Sequence, residues 1–195
     1  VAGGATIDQL ALERFQLRAR VIDCGESALI TPDCLAGYVI EPGSAVLFRT
    51  TNGRLTRDSF RAEYVCLTLP AAQELVRMAV GLVGIDYLSV ERDDPDHPIH
   101  RLLLGAGVLI LEEVDLRAVQ PGDYRLTCFP LRLWRTEASP CRAVLLPPTP
   151  PPWCRRLLPG RRYSSPTPMH RMPGIMKGGP TRSWGPPSRR RRSGA

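Results

Sequence analysis

Before Leu146 the chain has only two histidines, His97 and His100, and both sit in one acidic stretch, Asp93-Asp94-Pro95-Asp96-His97-Pro98-Ile99-His100. Twelve residues after His100 stands Glu112, which closes the apolar run Val108-Leu109-Ile110-Leu111. Imidazole nitrogen and carboxylate oxygen together are a ligand set for zinc, manganese or iron. Spacing alone leaves two readings open, a metal site or a solvated loop with incidental histidines. Two ligands also fall short of a complete coordination sphere.

Bringing these residues together requires a compact helix and strand. Residues 101–106 predict a short helix stopped by Gly107, and residues 108–112 a strand ending in carboxylates. His100 would immediately precede that helix, and the strand would return Glu112 to the same edge. Residues 91–100, with Pro95 and Pro98, predict a loop.

The surrounding pattern is that of a mixed α/β body with more strand than helix. Residues 7–15 predict a turn into a helix with Leu10, Leu12 and Phe15 facing a core, and residues 20–24 a strand. Thr31-Pro32-Asp33 starts a single helical turn closed by Gly37. Residues 44–50 predict a strand that runs into the polar string Thr50-Thr51-Asn52-Gly53. Thr68 is positioned to cap a helix with Pro70 in its first turn and Ala71, Ala72, Leu75, Val76 and Ala79 at helical spacing. Residues 81–86, Gly-Leu-Val-Gly-Ile-Asp, predict a buried strand whose acidic end meets a surface cleft. Residues 115–119 predict a helical turn. Residues 124–129 predict a strand with Arg125 and Thr127 outward and Leu126 and Cys128 inward, and residues 131–134 and 142–146 close the sheet. Asp86 and Ser89, and likewise Arg49, Thr50 and Asn52, are candidates either for lining a pocket or for capping strand ends.

Composition divides the chain at residue 146. Of 20 prolines 12 lie beyond it, with 11 of the 26 basic residues and no acidic one, so residues 1–146 carry a net charge of −4 and residues 147–195 one of +11. The basic character therefore belongs to a Pro/Arg/Gly-rich tail with too few apolar residues to fold, and disorder is expected there. Its arginines allow two readings, a basic arm for nucleic acid or a localisation signal, or a read-through or out-of-frame extension beyond the natural end. Without aromatic interleaving, nucleic acid is not the expected partner. The strongest apolar run, residues 102–111, is half the ~20 residues needed to span a bilayer, so no membrane span is expected. Six cysteines without a Cys-x-x-Cys pair exclude a zinc ribbon and read as buried hydrophobes. The N-terminus has no apolar stretch behind a basic flank and so is not read as a secretory signal, a start at Val1 suggests a fragment or a processed chain, and a cytoplasmic protein is expected.

Several segments resemble, in order, the cyclase family of metal-dependent hydrolases, which includes kynurenine formamidases and isatin hydrolases. They are Ile7-Asp8-Gln9-Leu10 with Glu13-Arg14-Phe15, Val46-Leu47-Phe48-Arg49-Thr50, Leu82 through Val90, His100-Arg101-Leu102-Leu103-Leu104 with Ile110-Leu111-Glu112, and Arg142-Ala143-Val144. The resemblance implies a strand-rich swivelling β/β/α domain over residues 1–146, with the tail at 147–195 outside it. It implies a divalent metal, zinc or manganese, held in part by His100 and Glu112, and places Ser89 beside the substrate. It implies a homo-oligomer acting on a small-molecule amide, most like an arylformamidase that releases formate from N-formylkynurenine. The family's His-x-Gly-Thr-His-x-Asp motif is absent from this sequence, so the chain is expected to hold half of a site and to be inactive by itself. The competing expectation is a non-catalytic relative that keeps the fold for binding or assembly, with the tail as a basic arm.

Overall fold

A computed structural model describes residues 3–55, 60–92 and 94–148, all within the unit 1–157. The expected disordered tail, apart from its first two residues, lies outside the described residues, as does Cys154.

Six strands form one mixed sheet: β1 Gln16–Asp23, β2 Ala45–Arg49, β3 Leu82–Ile85, β4 Leu109–Leu111, β5 Gly122–Thr127 and β6 Val144–Leu146. Their spatial order is β4-β3-β2-β1-β5-β6; the first four run parallel, while β5 and β6 are antiparallel to their neighbours. Parallel neighbours need a crossover. Helix α1, Leu69–Arg77, carries the chain from β2 to β3, and α2, Pro98–Gly105, from β3 to β4.

Alternation along the strands sends side chains to two cores, as the two-residue period of a strand requires. On the helical face, Ile22, Val46, Phe48, Val83 and Ile85 pack with Ala71, Ala72 and Leu75 of α1 and Ile99 and Leu103 of α2. On the opposite face, Val21, Ala45, Leu47 and Leu82 meet Phe15, Leu116 and Leu126. β3 is buried along its whole length, as its unbroken apolar run predicts. Thr68 caps α1 as expected, its Oγ1 accepting the Ala71 N–H at 3.3 Å.

Gly84 in β3 is dictated by space. A Cβ there would lie 2.3 Å from Leu47 Cδ2, on a side chain that is itself fully buried. Gly84→Ala is expected to destabilise the fold by about 1–3 kcal/mol through overpacking, read as a lower midpoint of urea unfolding.

The structure corrects several expected elements. β1 begins at Gln16 rather than residue 20, because residues 16–19 pair with residues 127–124 of β5, while Arg18 and Arg20 meet Glu41 and Asp123 at 2.7 and 2.8 Å at the strand's surface. Residues 7–15 form two 3₁₀ turns, of which only Phe15 is buried; Leu10 is half-buried and Leu12 is exposed. Residues 131–134 form no strand, Trp134 is exposed, and β6 alone extends β5. Residues 115–119 make a turn in which Val119 N–H meets Leu116 C=O at 3.0 Å, with no helix. Most consequential, α2 begins at Pro98, so His100 lies inside the helix rather than before it. Pro98 needs no N–H partner at the first helical position, and the next two N–H groups are satisfied from outside the helix, as the site shows.

Candidate metal centre

Open sheets bind ligands beyond the carboxyl ends of their parallel strands. Here that edge carries Thr50 after β2, Asp86 after β3 and Glu112 after β4. The start of α2 lies at the same end, because the chain leaves β3 there and turns back through α2.

The first turn of α2 is organised by Glu91, a residue outside the helix. Its Oε2 accepts the Ile99 N–H at 2.7 Å and its Oε1 the His100 N–H at 3.2 Å. His97, the residue before the helix, makes no side-chain cap and takes a left-handed conformation with φ of 50°. The Glu91 carboxylate therefore supplies the acceptors and the negative charge that a helix N-terminus favours.

The same carboxylate reaches the His100 ring, with Oε1 hydrogen-bonded to Nδ1. On the other side of the ring, Nε2 faces Glu112 Oε1 at 3.3 Å. That Glu112 oxygen also accepts the Val90 N–H at 3.1 Å. His97 Nδ1 stands 3.3 Å from Glu91 Oε1, its ring mostly in solvent and edge-on to His100 with centroids 5.7 Å apart. The Glu91 side chain is only 3% exposed, against 31% for Glu112. Flanked by two acids, the His100 imidazole titrates above its usual range, raised first by Glu112 and then by Glu91 against the opposing effect of burial.

A divalent cation fits this chemistry. Among the described residues, Glu91, His97 and His100 place ligand atoms within 4.8 Å of one another. His100 Nε2 and Glu112 Oε1 form a second candidate pair. Two ligands each ~2.0–2.1 Å from a tetrahedral ion lie about 3.3–3.4 Å apart. The 3.3 Å between His100 Nε2 and Glu112 Oε1 matches that separation and is long for a hydrogen bond.

The other residues singled out from the sequence brace the edge. Asp86, 1% exposed, accepts the Thr50 N–H on Oδ2 at 2.8 Å and the Thr50 hydroxyl on Oδ1 at 2.7 Å. Burial pushes its carboxyl above the ordinary range, although donors from Thr50 and Gly53 pull the other way. The Asn52 amide pairs with the Val65 backbone in both directions at 2.8 Å, and its own N–H meets Thr50 Oγ1 at 3.0 Å. Arg49 is paired with Asp23 and donates to the Val119 carbonyl at 2.8 Å. For Thr50, Asn52 and Asp86 the strand-end reading is the one the structure bears out. Ser89 is half-buried close by, its Oγ accepting the Glu91 N–H at 3.3 Å and bonding with Tyr64.

Glu91 and Tyr64 escape the sequence reading. Tyr64 stacks at a tilt on Tyr87, with ring centroids 4.7 Å apart, and donates its hydroxyl to the Glu91 carbonyl at 2.6 Å. In sequence Glu91 is one acid of a charged stretch; the only local signal is that it directly follows Val90 at the end of the resembling segment.

The fold and the site together define an α/β protein with a histidine and carboxylate cluster at the carboxyl edge of its parallel strands. The family described as "Putative cyclase" matches residues 1–92. Kynurenine formamidase of Salinibacter ruber is 34% identical over 144 residues, which is 73% of this chain and 68% of that protein. Cyclase-like protein 3 of Oryza sativa subsp. japonica is 36% identical over 149 residues, 73% of this chain and 55% of that protein. Among solved structures, a potential metal-dependent hydrolase with cyclase activity superposes with a TM-score of 0.70 at 36% identity, covering 74% of this chain and 72% of that one. The chain belongs to the cyclase family. It spans about half the length of the rice relative. No helix among the described residues is long and apolar enough to cross a membrane.

Proposed function

We propose that the protein is a metal-dependent hydrolase that cleaves the C–N bond of an amide, with an aryl formamide of the N-formylkynurenine type as substrate and formate and the free arylamine as products. The observation that carries this reading is the facing pair His100 Nε2 and Glu112 Oε1, 3.3 Å apart at the carboxyl edge of the sheet. The relationship to a kynurenine formamidase supports a formamide over other amides. When bound, a divalent ion, zinc or manganese, acts as a Lewis acid on a carbonyl oxygen and lowers the pKa of a water toward ~7.

The chain's own groups divide that work. His100 offers a nitrogen lone pair and Glu112 a negative charge from the more exposed side of the cluster. To Ser89 we assign the substrate contact, a role supported by its half-buried position two residues before Glu91. A small-molecule amide as substrate is supported by the kynurenine formamidase relative; self-association and a cytoplasmic setting belong to the same proposal.

The test is formate release from N-formylkynurenine by the whole protein carrying this sequence, loaded with zinc or manganese. Turnover that stops on chelation and returns with the ion is the expected result. A protein that binds the ion but leaves every formamide intact overturns the substrate assignment.

A further inference from the structure

We propose that Glu91 is the positioning residue of this site. It holds His100 as the Nδ1–H tautomer and so aims the lone pair of Nε2 at the gap facing Glu112. The inference rests on the reading of His100 and Glu112 as ligands.

The geometric cluster of Glu91, His97 and His100 suggests instead that Glu91 is itself a ligand, but its oxygens are already committed. Oε2 accepts the Ile99 N–H at 2.7 Å; Oε1 accepts the His100 N–H at 3.2 Å and contacts Nδ1 of both His100 and His97. A carboxylate offers about four lone-pair directions, two on each oxygen; the three contacts on Oε1 saturate it, and Oε2 is held by the buried Ile99 N–H. Direct coordination by Glu91 would strip acceptors from buried N–H groups at the head of α2, which is costly.

The backbone of Glu91 is equally constrained. Its N–H meets Ser89 Oγ at 3.3 Å and its carbonyl the Tyr64 hydroxyl at 2.6 Å. A carboxylate anchored at both ends, nearly sheathed in protein and in contact with one ring nitrogen, decides which nitrogen of a neutral imidazole keeps the proton. Glu112, a third exposed, faces Nε2 at 3.3 Å, a longer contact than the one Glu91 makes to Nδ1. Carboxylates that fix a ligating imidazole in this way raise its basicity and its orientational precision.

The decisive measurement is the ring ¹⁵N spectrum of His100 in the metal-free chain, at a pH where the same spectra show the ring neutral. Nδ1 carrying the proton is expected; a proton on Nε2 overturns the assignment. Glu91→Gln adds a second reading. The amide oxygen can still accept the Ile99 N–H, but the NH₂ group then faces Nδ1 as a donor. The ring proton is therefore expected to move to Nε2 and zinc affinity to fall about 10–100-fold, with Glu91→Asp recovering part of both. Unchanged tautomer and affinity in a folded Glu91→Gln protein would refute the role. Should that variant not fold, the wild-type spectrum decides. Zinc affinity that survives both His100→Ala and Glu112→Gln, with Nδ1–H still observed, rejects the ligand pair while leaving the tautomer lock standing, so the two failures are distinct.

Discussion

His100→Ala is expected to abolish uptake of zinc or manganese at the start of α2, and formamide hydrolysis with it, while the protein melts almost as before. The imidazole touches both carboxylates of the cluster. Its loss should exceed the roughly 10–100-fold drop in metal affinity that follows removal of an outer partner. Stability is spared because the helix cap is made by the His100 backbone N–H and by Ile99, both of which the alanine variant keeps. Isothermal titration with zinc beside a thermal melt separates the two effects. Glu112→Gln is the companion measurement: an amide oxygen can still accept the Val90 N–H, so it removes charge from the site without releasing the loop.

Asp86→Ala is expected to act in the opposite sense, weakening the fold by about 2–5 kcal/mol. Thr50 loses acceptors for both its N–H and its hydroxyl in a buried setting, and each orphaned group costs roughly 1–3 kcal/mol. The pH dependence has a definite sign. Burial holds the Asp86 carboxyl above its unfolded value in the folded state. The folded protein therefore binds a proton at this residue more readily than the unfolded one, and the side chain contributes most in acid. Its contribution declines as pH rises from the unfolded value through the folded one. The deficit of Asp86→Ala should thus be largest at low pH and shrink toward neutrality. Urea titrations at several pH values check this; a deficit that grows with pH would contradict the burial argument.

Much of the architecture is legible in the residues because it is set locally. Leu82 to Ile85 is apolar without interruption and is buried throughout. Thr68 and Pro70 mark the start of α1 by chemistry that acts within one turn. The start of β1 is not legible in the same way, since Gln16 to Arg20 becomes strand by pairing with β5, a segment more than 100 residues further on. The same contrast runs through the site. His100 and Glu112 can be paired from sequence because one short helix and one strand separate them. Glu91 cannot, because two prolines and three acids between Glu91 and His100 look like solvent-facing loop, and its role exists only once the chain folds back over the head of α2. Thr50, Asn52 and Asp86 were equally suited to a pocket or to strand ends, and only their mutual hydrogen bonds decide between the two.

Residues 64–68 form no strand of the main sheet, yet their polar groups reach three separate loops. Val65 pairs with Asn52 after β2, Cys66 and Thr68 with Ile30 after β1, and Leu67 with Val90 after β3. This segment is a belt drawn across the ends of three neighbouring strands. A belt shares load: loosening it at Asn52 slackens its hold on Val90, the residue next to Glu91, although Asn52 touches neither histidine nor either carboxylate of the cluster. Amide exchange at Leu67 should therefore quicken in Asn52→Ala together with exchange at Val65, and the precision of the metal centre would depend on a strip of chain that contributes no ligand to it.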